Sequence, residues 1–135
     1  MKKSLPHKFA YPSKPTHDEI VAGYRVMSVN EVAEGLGIST ADMAKRIGVT
    51  RSTFHRKQKD NALLTEHESD ALARHSTLLG HAIAVFGADV DAARQWLRSP
   101  QIGLGNAIPL DLARTTFGYR EVEKLLTRID HGVYA

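Results

Sequence analysis

The apolar positions of this chain recur at spacings of three and four, the signature of helices with one buried face. Val122, Leu125, Leu126 and Ile129 sit at i, i+3, i+4 and i+7, predicting an amphipathic helix that closes at Gly132. Leu72, Leu78, Leu79, Ile83, Val85 and Phe86 line a longer helix ending near Gly87. A shorter one follows, capped by Asp89 and carrying Ala92, Ala93, Trp96 and Leu97. Helix starts are marked as well. Thr16-His17-Asp18-Glu19, Ser28-Val29-Asn30-Glu31 and Thr65-Glu66-His67-Glu68 each have the S/T-x-x-E form of a capping box. The first opens a helix over Ile20, Val21 and Tyr24, and the second one over Val32, Ala33 and Leu36 that Gly37 can end. Pro109 suits a first helical turn, where its missing N–H costs nothing. No alternating strand pattern, internal repeat or low-complexity tract stands out, so the expected fold class is all-α.

Residues 39–59 carry a more particular pattern. Two short helices are expected to hinge on Gly48, which tolerates the positive φ of a tight turn. Ala44 is small where the helices must touch, Thr50 can cap the second helix, and Phe54 can anchor it to the core. Together these residues predict a helix-turn-helix. The expected organisation is a mobile arm over residues 1–15, a helix-turn-helix domain over 16–64, and a second helical domain over 65–135.

Charge sharpens the picture. The net charge is +3, but residues 1–60 hold 11 Lys/Arg against 6 Asp/Glu, whereas residues 61–135 hold 7 against 9. Six basic and no acidic residues lie between Lys45 and Lys59. On its own such a run is as compatible with a solvated helix face as with nucleic acid. Superimposed on a helix-turn-helix frame it points to duplex operator DNA. With Phe54 turned inward, Arg51, Ser52, His55 and Arg56 are the expected base readers. Lys45, Lys57 and Lys59 are expected on phosphates, and Thr50 could serve as both cap and phosphate ligand. One such helix reads few base pairs, which implies a homodimer on two half-sites.

Other classes find little support. The chain has no cysteine, which excludes a disulfide framework and suits the cytoplasm. No apolar run nears the ~20 residues of a membrane span. Lys2 and Lys3 are not followed by the apolar stretch of a signal peptide. The seven histidines show no metal-ligand spacing, with His67, His75 and His81 eight and six residues apart. Gly103-Leu104-Gly105 lacks a preceding strand and a third glycine, and reads as a tight loop. Trp96 reads as a core anchor. No catalytic constellation, metal site or cofactor is therefore expected, and the chain reads as non-enzymatic.

The second half adds a resemblance. Three stretches carry it: Trp96-Leu97-Arg98-Ser99-Pro100, then Gly105 through Pro109-Leu110-Asp111-Leu112, then Gly118-Tyr119-Arg120-Glu121-Val122 through Leu125-Leu126-Thr127-Arg128-Ile129 to Gly132-Val133-Tyr134-Ala135. With the helix-turn-helix, the stretch over residues 39–135 resembles the Xre/MbcA/ParS antitoxin family. Asn106-Ala107-Ile108 departs from the small polar run usual before the proline. The resemblance implies a Cro/Xre-like DNA-binding part, a C-terminal toxin-binding domain, and a RES-domain toxin that attacks NAD. It further implies neutralisation by direct complex, with the antitoxin's C-terminal end in the toxin's cleft, inside a larger toxin–antitoxin assembly. Candidate contacts are Arg120, Lys124, Arg128, His131, Gly132, Val133, Tyr134 and Ala135. Glu123 and Asp130 are expected on the same polar side of the last helix. Val133 and Tyr134 could equally fold back as the contact after a helix cap, and a stand-alone repressor remains the competing reading.

Overall fold

Capping explains where most helices begin. Thr16 Oγ1 accepts the Glu19 amide at 3.2 Å while Glu19 Oε1 accepts the Thr16 amide at 3.3 Å, the reciprocal pair expected at the start of α1 (His17–Ala22). Thr65 and Glu68 repeat it at 3.1 and 2.9 Å before α5 (Glu66–Val85). A computed structural model describes residues 15–132. Of the arm expected over residues 1–15, residues 1–14 lie outside the described residues, as does the tip Val133, Tyr134 and Ala135.

Between these points run α2 (Met27–Leu36), α3 (Thr40–Arg46) and α4 (Arg51–Asp60). After α5 come α6 (Val90–Leu97), a 3-10 turn (Ile102–Leu104), α7 (Pro109–Leu112) and α8 (Thr116–Asp130). Among the described residues the only extended pairings are isolated bridges, Arg25 with Leu63 and Gln101 with Ala107. The fold is all-α.

The chain divides into two compact units, residues 1–77 and 78–135, with the division inside α5. In the first, α2 packs on α3 and α3 on α4. Its core is built from side chains such as Tyr24, Val32, Leu36, Met43, Ile47 and Leu72. His75 is buried among them and donates from Nδ1 to the Ala71 carbonyl at 2.8 Å. In the second unit, α6 packs on α7, and α7 and the 3-10 turn pack on α8. Leu78, Leu79, Leu97, Leu110, Val122 and Leu126 fill its interior.

One expected start is different. Ser28 does not cap α2; it lies inside the helix, buried, and no side chain of the N-cap residue Val26 bonds there. The physical reason is tertiary. Val26 donates to the Ala62 carbonyl at 2.8 Å, which fixes the approach to the helix. The Met27 amide, an orphan donor of the first turn, is taken by Asn61 Oδ1 at 3.0 Å. A residue 34 positions downstream thus does the capping.

In the second unit Gly103-Leu104-Gly105 forms the expected tight loop. Gln101 organises it by donating from its amide to Ala107 and accepting from Leu104 and Asn106. Trp96 sits half-buried with its ring against Phe86, centroids 5.9 Å apart.

Candidate functional site

The turn between α3 and α4 is built as the sequence requires. Ser39 Oγ accepts the Asp42 amide at 3.0 Å to start α3, and Ala44 is buried at its centre. Gly48 adopts φ +90°, a conformation an L side chain would strain, and its amide reaches the Lys45 carbonyl at 3.1 Å. Val49 then donates back to the Ala44 carbonyl at 2.9 Å. Thr50 Oγ1 caps α4 by accepting the Thr53 amide at 3.2 Å. Ile47, Val49 and Phe54 turn inward and seat the second helix on the core.

With Phe54 inward, the opposite face of α4 is left in water. Thr50, Arg51, Ser52 and His55 line an open depression of about 730 Å³ at its N-terminal end. Lys45 and Arg51, with Ala41, Ala44 and Phe54, line a cleft of about 280 Å³ between α3 and α4. Arg51, Ser52, His55, Arg56 and Lys59 are all exposed, as is Lys45. Among the described residues no side-chain acceptor holds Lys45, Arg51, Arg56 or Lys59, so their charge faces solvent.

Lys57 is placed differently. Its side chain is largely covered, and Nζ donates to the Leu63 carbonyl at 3.0 Å with Glu68 Oε1 at 3.7 Å. It ties the end of α4 to the start of α5. Asn61, which the sequence reading passed over, completes this fastening. It ends α4 in the left-handed region at φ +48°, its carbonyl accepts from Arg25 Nη1 at 3.3 Å, and its side chain caps α2. Asparagine's tolerance of positive φ was the available signal. Helix α4 is therefore anchored at both ends.

In the second unit the candidate contacts cluster on α8. Val122, Leu125 and Leu126 are buried, Ile129 is half-buried, and Gly118 faces inward. Arg120, Lys124, Arg128 and His131, spaced by four, four and three, form one exposed stripe opposite that face. Gly132 follows in a left-handed turn at φ +76°. Lys124 Nζ lies 3.4 Å from Glu121, an exposed pair of small energetic weight. Glu123 is not on the polar side: it is half-buried and pairs with His81 of α5.

Fold and surface define a helix-turn-helix protein with a second, all-helical unit. A family model for the antitoxin Xre-like helix-turn-helix domain matches residues 17–74. Another, for the antitoxin Xre/MbcA/ParS C-terminal toxin-binding domain, matches residues 81–132. Relatives matched along most of the chain bear the same name. An "Antitoxin Xre" of Yersinia enterocolitica is 29% identical over 118 residues, covering 87% of this chain and 80% of that protein. One of Photorhabdus laumondii is 29% identical over 111 residues, covering 82% and 75%. One of Pseudomonas putida is 29% identical over 116 residues, covering 86% and 71%. The chain belongs to the Xre/MbcA/ParS antitoxin family.

Proposed function

We propose that this chain neutralises a RES-domain toxin that attacks NAD, by direct complex through its C-terminal part, and binds operator DNA to regulate its own operon. The observation that carries the reading is the pairing, in one chain, of an Xre-like helix-turn-helix with the family's toxin-binding domain. Residues 16–64 serve DNA and residues 65–135 serve the toxin. Arg51, Ser52, His55 and Arg56 read bases, Lys45 and Lys59 hold phosphates, and Thr50 does so while capping its helix. Lys57 acts chiefly by fastening α4, as its ammonium is already engaged. Arg120, Lys124, Arg128, His131 and Gly132 contact the toxin, together with Val133, Tyr134 and Ala135 at the tip. The protein works in the cytoplasm as a homodimer, without catalytic activity of its own. No described helix is long and apolar enough to cross a membrane.

The test is co-purification. The tagged chain, intact and lacking residues 131–135, is isolated from its native cells and its companions are identified by mass spectrometry. A RES-domain protein held by the intact chain and lost on truncation supports both the antitoxin role and the tip contact. Retention by both forms moves the contact to the preceding helices. Absence from both leaves a plain repressor.

A further inference from the structure

Phe117 is 77% exposed and Ile102 is 84% exposed, the two most exposed large apolar side chains among the described residues. They lie on elements packed together, Phe117 in the first turn of α8 and Ile102 on the 3-10 turn against it. Neither exposure comes from a loose segment. The rotation of α8 is pinned by Gly118, where a Cβ would stand 2.0 Å from the Leu112 carbonyl oxygen. With Gly118 held inward, Phe117 is forced out. Ile102 is held by the Gln101 network, in which Gln101 Nε2 also donates to the Trp96 carbonyl at 2.9 Å and the Ser99 carbonyl at 3.1 Å. Two apolar groups are thus presented on rigid backbone, so little ordering entropy is lost when they are buried.

Phe117 also stands three residues before Arg120 and so heads the exposed stripe of α8. Among the described residues neither Arg120 nor Arg128 has an ion-pair partner. We propose that Phe117 and Ile102 are the apolar anchor of the toxin-docking surface, and that Arg120 and Arg128 flank it, so that the occupant is an apolar pocket with an acidic rim on the toxin. This rests on the antitoxin reading above. Charge and apolarity select the partner jointly. A phosphate backbone would satisfy the arginines and leave Ile102 in water, whereas a protein pocket satisfies all four. An aromatic anchor in a desolvated pocket, ringed by charged contacts, is the usual composition of a binding hot spot.

The test uses the full chain and the RES-domain toxin proposed above, with affinity measured by calorimetry and operator binding by gel shift. Phe117→Ser should weaken toxin binding by roughly 30-fold or more, the scale of a lost hot spot. Ile102→Ser, on a separate element, should weaken it by about 5- to 10-fold. Arg120→Glu combined with Arg128→Glu should weaken it in low salt, the difference shrinking between about 0.05 and 0.5 M salt. Melting temperature and operator affinity should stay at parental values throughout. Unchanged toxin affinity in both apolar variants overturns the proposal while leaving the antitoxin reading intact. Charge reversal that weakens operator binding alone also overturns it, and makes the stripe a nucleic-acid face. A parental chain that holds no toxin overturns both readings.

Discussion

Arg56 projects from the middle of α4 into solvent and spends none of its donors within the described residues. A guanidinium so placed can bond bidentately to guanine. Arg56→Ala should weaken binding to the cognate operator by ~1–3 kcal/mol and narrow the gap to mutated operators. Equal discrimination by parent and variant in a gel-shift series would remove Arg56 from the readers. Tyr24 serves stability instead. Burial, then the Glu19 carboxylate and the hydrogen bond its hydroxyl donates to Glu19, push its phenol well above the ordinary range. The folded state therefore keeps a proton that the unfolded chain gives up near pH 10. The resulting stability is complete below that value and is lost as pH rises beyond it. Between about pH 8 and about pH 11, the urea midpoint of the parent should fall more than that of Tyr24→Phe. Parallel falls would contradict the assignment. Two glycines give opposite expectations. Gly118→Ala forces a methyl into the Leu112 carbonyl and should cost about 3 kcal/mol or more. Gly80, inside α5 with open space at its Cβ position, should gain about 0.5–1 kcal/mol on replacement by alanine.

At the scale of elements, α4 is held by what precedes and follows it. Gly48 and Thr50 set where α4 starts, and Asn61 and Lys57 set where it stops. Asn61→Gly keeps the left-handed turn but loses the cap on α2, and should destabilise by about 1 kcal/mol. Asn61→Ala adds backbone strain at φ +48° and should cost more. Thermal melts that rank alanine above glycine would contradict this account of the joint. This joint also marks what the sequence could disclose. Helices, and the caps at Thr16, Thr50, Thr65 and Asp89, rest on neighbours within four residues, so spacing alone revealed them. The cap of α2 depends on a residue from another segment, and Ser28 was a decoy because Val26 is pinned by Ala62. Lys57 and Arg56 are adjacent and equally basic. Only the path of the chain through Leu63 and Glu68 decides which one is consumed internally. Glu123 was assigned to the polar side for the same reason: its partner, His81, comes from a different helix.

At the scale of the molecule, the chain joins an Xre-like helix-turn-helix unit to a toxin-binding unit. If both ligands act on one chain, toxin should alter operator affinity in a gel-shift titration, and a flat response would remove the regulatory coupling. The central claim, however, is neutralisation. The measurement that addresses it most directly is NAD turnover by the proposed RES-domain partner, titrated with the full chain. Turnover should fall to background at a fixed stoichiometric ratio, in the absence of DNA. Undiminished turnover with the chain in several-fold excess, while that same preparation still binds operator, would contradict it.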